Sequence, residues 1–100
     1  MLENLPVNKD MIIRLGLNAA VVYGELLNQY LLAQDNNTIT VSGYFPCRIA
    51  TLEEETTLAE YAQRKAIAIL VAEGIIETTL IGLPRVRHFK LLYNMLEDSK

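Results

Sequence analysis

Cysteine and long apolar runs are nearly absent from this chain of 100 residues. Its one cysteine, Cys47, cannot form an intrachain disulfide or a thiolate cluster for a metal. The apolar run at residues 66–72 is far shorter than the roughly 20 residues that span a membrane. Residues 1–10 lack the cationic and apolar regions of a signal peptide. We therefore expect a soluble cytoplasmic protein without a membrane segment, a metal site or a cofactor.

Positive charge is also scarce, since nine Lys and Arg face twelve Asp and Glu and the net charge is −3. This balance argues at first against nucleic acid, because binding phosphate needs local positive charge. The charge is unevenly distributed, however. Residues 1–57 hold three cations and seven acids, whereas residues 58–90 hold five cations and three acids. Because binding depends on the charge of the contacting face, the second stretch is a candidate contact with nucleic acid.

Hydrophobic periodicity and capping residues predict one domain, residues 1–100, of the mainly α class with a small antiparallel β-ribbon. The predicted elements are helices at about residues 8–15, 18–34, 48–55 and 58–73 and strands at about 75–81 and 86–93. Gly16 and Gly74 are predicted helix stops. Thr57 and Glu60 have the spacing of a capping box that would begin the fourth helix. Residues 38–46 predict a short strand or an extended arm with a turn at Ser42–Gly43.

The order of the last elements indicates a winged helix-turn-helix. A short helix, a tight turn, a longer helix and a β-hairpin follow one another, and in that arrangement the longer helix enters the major groove of DNA. On a helical wheel, Arg64 and Lys65 fall on the outward side of the fourth helix. The predicted DNA-binding residues are Tyr61, Arg64, Lys65, Arg85, Arg87, His88 and Lys90.

Plainer interpretations stand beside this one. A basic hairpin also protects a sheet edge against aggregation. His88 has no second histidine to form a metal site with, and the adjacent acids at residues 53–55 are typical of a solvated helix face. We find no nucleophile–base pair and no phosphate-cradling glycine loop, so we predict no catalytic residues and no enzyme.

The second predicted helix is apolar on nearly all sides. One stripe, which we expect to face the core, consists of Leu17, Ala20, Val21, Gly24, Leu27 and Leu31. The other stripe includes Tyr23, Leu26 and Tyr30, and such aromatic residues are typical of interfaces. This second stripe predicts a symmetric homodimer, with the alternative that it belongs to the core.

The stretch from Thr51 to Leu91 resembles the winged-helix segment of replication-initiation proteins from plasmids, phages and conjugative elements. This family includes the N-terminal domains of DnaD-type replisome organisers. The resemblance is carried by "LAEYAQRKAI", "EGIIET" and "GLPRVRHFKL", and by "IIRLGLNAAVVYGELLNQYL" further upstream. It implies DNA binding through the helix and the wing, and self-association through the N-terminal helices.

The leading prediction is a double-stranded DNA-binding domain, acting in replication initiation or transcriptional regulation of a mobile element. Its expected partners are DNA, a second copy of the chain and replication proteins. The alternative is a protein–protein interaction module that keeps the winged-helix scaffold but does not bind DNA. The acidic composition and the outward position of the apolar Val71 favour this alternative.

Overall fold

The computed structural model describes residues 7–92. Its elements are α1 (Lys9–Leu15), α2 (Leu17–Asn36), β1 (Phe45–Pro46), α3 (Ile49–Thr56), α4 (Glu60–Ala72), β2 (Ile76–Ile81) and β3 (Val86–Leu91). The strands form one antiparallel sheet in the order β1-β3-β2. The predicted class, mainly α with a small antiparallel sheet, is confirmed. Residue 93, the predicted end of the last strand, lies outside the described residues. Within residues 7–92, no helix is long and apolar enough to cross a membrane.

Glycine ends α1, as the sequence predicts. Gly16 has a φ of 97°, a conformation that residues with a Cβ rarely adopt, and α2 begins at the next residue. At the other end of α1, the side chain of Asn8 accepts a hydrogen bond from the backbone N–H of Met11 at 2.9 Å. These two caps define a short helix that packs against α2.

The predicted capping box at the start of α4 is wrong. Thr57 adopts a left-handed conformation that ends α3, and its hydroxyl donates to the carbonyl of Thr56. The residue that precedes α4 is Ala59, which makes no side-chain cap. The buried hydroxyl of Thr56 instead donates to the Leu52 carbonyl at 2.6 Å and accepts from the Leu58 N–H at 3.2 Å. Thr56 thus holds the turn between α3 and α4, and Thr57 ends α3 instead of capping α4.

The extended arm predicted over residues 38–46 contains a shorter strand than expected. Only Phe45 and Pro46 form a strand, and they pair with Phe89 and His88 of β3. The predicted turn is present, because the N–H of Gly43 donates to the Thr40 carbonyl at 2.9 Å. This added strand makes β3 the central strand of the sheet.

Both stripes of α2 contribute to the core: the first is buried at Ala20, Gly24 and Leu27, as predicted, and exposed at its two ends, whereas the second is buried against our prediction. Leu26 is 0% exposed and Tyr23 is 2% exposed, whereas Leu17 is 57% and Leu31 is 41% exposed. Tyr30 is half-buried, and its ring packs edge-on against Phe45 at a centroid distance of 5.8 Å. Because α1, α3, α4 and β1 all pack against α2, the second stripe is core. The predicted self-association through Tyr23 and Leu26 is therefore wrong, and Tyr30 supports the same core.

Candidate nucleic-acid interface

Four arginines converge on one open groove, which we call the arginine groove. Arg48 directly precedes α3, Arg64 lies on α4, Arg85 directly precedes β3 and Arg87 is in β3. Together with Ile49, Leu80 and Val86, they line a space of about 440 Å³. The chain has five arginines, so four of them meet here, and none of the lining residues is acidic. Such clustering creates a positive surface on an acidic protein.

Arg64 is the exposed arginine that α4 contributes to the groove. Its side chain is 71% exposed and forms an ion pair with Glu60, one helical turn earlier. An exposed pair at this spacing is worth little, because water and salt screen it. A phosphate can therefore replace Glu60 as the partner of Arg64 at small cost.

Arg87 is held more tightly than the other arginines. Its Nη2 donates to Oε1 of Gln63 at 3.0 Å, and its guanidinium carbon lies 5.1 Å from the centroid of the Phe89 ring. Burial lowers the pKa of the Arg87 guanidinium, but an arginine remains charged near neutral pH. Arg87 therefore places a fixed positive charge in the wall of the groove.

Gln63, which contacts Arg87 of the candidate site, is a residue of α4 that sequence reasoning missed. It is fully buried, and its Nε2 donates to the carbonyls of Ile49 at 3.0 Å and Leu58 at 2.9 Å. The wheel places Gln63 on the core face of α4, where a polar residue is uncommon. That polar position was the only available signal for its role.

Arg48 was also missed as a site residue. It lies in the acidic part of the sequence, and its approach to the hairpin depends on the pairing of β1 with β3. This pairing continues in a hydrogen bond from the Cys47 N–H to the Arg87 carbonyl at 3.0 Å. In the sequence, the only local sign of a role for Arg48 was its position at the start of a helix.

His88 and Lys90 lie on the other face of the sheet. Successive side chains of a strand point to opposite faces, and Phe89 is buried in the core. On the outer face, the ammonium of Lys90 lies 5.9 Å from the centroid of the Tyr44 ring. The Tyr44 hydroxyl donates to Glu77 at 3.0 Å, which raises the pKa of Tyr44. The structure therefore does not bring His88 and Lys90 to the arginine groove.

Tyr61 and Lys65 occupy the outward side of α4, as the wheel predicts. The Lys65 ammonium lies 5.5 Å from the centroid of the Tyr61 ring, which is 73% exposed. Both residues line a second open groove, which also includes Leu17 and Ile69. The outward side of α4 thus combines a cation and an aromatic ring with apolar neighbours.

Cys47 is expected to be chemically inert in the folded protein. It is buried beside Arg87, and desolvation raises the pKa of its thiol to about 12. Because the thiolate is the reactive species, about a thousandfold less of it is present than for a thiol of pKa 9.0. Mass spectrometry after iodoacetamide treatment at pH 8 should show little alkylation of the native protein and rapid alkylation in urea. Equal rates in the two conditions would contradict the burial of Cys47.

Over residues 7–92 the fold class is α+β, with four helices and a three-stranded antiparallel sheet. In this fold α3, a turn, α4 and a β-hairpin follow one another. The chain is similar to a solved structure described as the N-terminal domain of a DNA-binding protein, with a TM-score of 0.69 and 17% identity. That match covers 93% of this chain and 75% of the other.

A second similar structure is described as a Rep–DNA complex. Its TM-score is 0.73 at 17% identity, and the match covers 91% of this chain and 75% of the other. No protein-family model and no curated protein matches the chain. At this level of identity, the two structural matches show a shared fold.

Proposed function

We propose that this chain is a winged helix-turn-helix domain that binds double-stranded DNA. The observation that carries the proposal is the convergence on one groove of four arginines, from the start of α3, from α4 and from the hairpin. The planar guanidinium group of arginine can donate two parallel hydrogen bonds to phosphate oxygens. Contacts with phosphate supply a large share of the affinity of DNA-binding domains. The descriptions of the two similar structures, a DNA-binding protein and a Rep–DNA complex, support the same function.

In this proposal α4 enters the major groove and the hairpin contacts the flanking backbone. Arg64 is exposed on α4 and reads base edges or phosphate, while Tyr61 and Lys65 contact the backbone on the same side. Arg48, Arg85 and Arg87 bind phosphates along the arginine groove. His88 and Lys90 have no direct contact, because they face away from the groove.

We place this binding in replication initiation or transcriptional regulation of a plasmid, phage or conjugative element. The similar Rep–DNA complex and the resemblance to replication-initiation proteins support this setting. Its other partners would then be replication proteins in the cytoplasm, and the chain would act by binding rather than as an enzyme.

A titration with labelled amides tests the site of binding. Adding a random-sequence duplex to ¹⁵N-labelled protein should shift the NMR signals of the residues around the arginine groove and of the first half of α4. The signals of Tyr44 and Glu77, on the outer face of the sheet, should stay in place. Shifts confined to that outer face, or no shifts at all, would overturn the proposal.

Arg64 is expected to contribute sequence preference. Replacing it with alanine should cost about 1–3 kcal/mol of binding to a preferred site and relax the preference at one base pair. Competition binding with single-base variants of the site measures both effects. Arg14→Ala, which removes an exposed arginine from α1, serves as the control and should leave the preference unchanged. Equal behaviour of the two variants would show that Arg64 does not contact bases.

A second candidate function is protein docking without DNA binding. It is favoured by the exposed apolar side chains of Leu17, Tyr61 and Ile69 around the second groove. Shifts in the NMR titration with DNA distinguish the two functions, because a pure docking module leaves the arginine groove unshifted.

The homodimer stays a prediction, but the surface that would form it is no longer the one around Tyr23 and Leu26. Since Tyr23 and Leu26 are buried within one chain, self-association through α2 would use the exposed Leu17, Leu31 and Leu32. These side chains form part of the outward surface of α2. A two-fold dimer would present two copies of α4 to two half-sites on DNA.

A further inference from the structure

The side-chain amide of Gln63 connects separate parts of the fold. Its two donated bonds reach the Ile49 carbonyl in α3 and the Leu58 carbonyl in the turn before α4. Its oxygen accepts from Arg87 of β3, in the hairpin. Gln63 itself lies on α4, the helix that enters the major groove in the proposed function. One fully buried group therefore joins both helices, their turn and the hairpin.

This connection requires an amide. Two carbonyls need donors and a guanidinium needs an acceptor, and glutamine supplies both from one side chain. Glutamate at this position would present a charge and no donor to the two carbonyls. Methionine has a similar shape but leaves all three partners without their bonds.

The orientation of Arg87 depends on the same amide. The Phe89 ring beneath the guanidinium attracts its charge but does not fix the direction of its N–H groups. Among residues 7–92, Gln63 is the one hydrogen-bond partner of the Arg87 side chain, and Nε of Arg87 is buried without a partner. Removing Gln63 would therefore free the guanidinium to change its direction.

We infer that Gln63 is a positioning residue for DNA binding, which fixes Arg87 in the arginine groove and holds the hairpin against α4. This inference rests on the proposed function. A side chain that is fixed before DNA arrives loses little conformational entropy on binding. The helix and the hairpin then meet the duplex as one preformed surface, although Gln63 itself is buried and touches no DNA.

A double-mutant cycle tests this inference, with duplex affinity as the readout. Gln63→Met should weaken binding about tenfold in the wild-type background, the size expected for loss of a hydrogen bond to a charged group. In an Arg87→Met background the same change should have an effect below about twofold, because the group that Gln63 positions is gone. Equal losses in both backgrounds would overturn the inference, since they indicate a general effect on the fold.

A second variant covers the case in which Gln63→Met does not fold. Arg87→Lys keeps the charge but replaces the planar fork with a point charge that Gln63 cannot hold in the same direction, so its affinity should fall below that of the wild type. Arg14→Lys on α1 is the matched control and should bind like the wild type. If Arg87→Lys retains wild-type affinity, charge alone suffices and positioning by Gln63 is wrong.

An NMR measurement without DNA separates this inference from the proposed function. In the wild type, the guanidinium signals of Arg87 should be resolved and protected from exchange with water, and Gln63→Met should abolish that protection. If the wild type binds no duplex, the proposed function fails. The protection then still decides whether Gln63 holds Arg87, and unprotected signals in the wild type would refute it.

Discussion

Replacing Leu26 with alanine is expected to lower the free energy of unfolding by about 2–5 kcal/mol. Leu26 is fully buried on α2, in the same cluster as Leu52, Leu70 and Phe89. The substitution removes buried apolar surface and leaves a cavity that the surrounding helices and sheet can fill only in part. Urea denaturation followed by circular dichroism measures the change in stability.

Leu32→Ala is the matched control for this prediction. Leu32 lies on the same helix but is 48% exposed, so its replacement should change stability by no more than about 0.5 kcal/mol. If Leu26→Ala instead keeps full stability and dissociates a dimer, Leu26 belongs to an interface and the packing of α2 described above is wrong.

Removing Arg48 and Arg85 together is expected to weaken binding to every duplex sequence. Both side chains are exposed in the arginine groove, so the double alanine variant should fold normally while losing two contacts with phosphate. The slope of log affinity against log salt concentration should flatten by roughly two units. Fluorescence anisotropy with random and specific duplexes at several salt concentrations measures both effects.

The control for this variant removes the same amount of charge elsewhere. Lys9→Ala combined with Arg14→Ala takes two exposed cations from α1, and the salt slope should not change. If both double variants flatten the slope equally, total charge governs binding and the arginine groove has no special role.

The helices could be predicted where local chemistry determines them. Gly16 and Gly74 adopt positive φ, which explains why glycine marks the ends of α1 and α4. The burial of the second stripe of α2 could not be predicted in this way, because both stripes are apolar and periodicity does not show that the core covers both. The elements that pack around α2 determine how much of each stripe is buried. Thr57 failed as a cap for a similar reason, since the turn determines its conformation.

The candidate site was predicted in part. Arg64, Arg85 and Arg87 meet in one groove, as the helix–turn–helix–hairpin order implies. Strand alternation could have separated His88 and Lys90 from Arg87, because Phe89 is apolar and marks the inward face of β3. Arg48 could not be placed, since it reaches the groove through a strand pairing between distant parts of the chain.

The salt dependence of duplex binding by the wild-type protein tests the central claim most directly. If the four arginines of the groove and Lys65 each neutralise one phosphate, log affinity should fall against log salt concentration with a slope of about −4.5. A protein that binds duplex with a slope near zero, or does not bind it at low salt, would contradict DNA binding through the arginine groove.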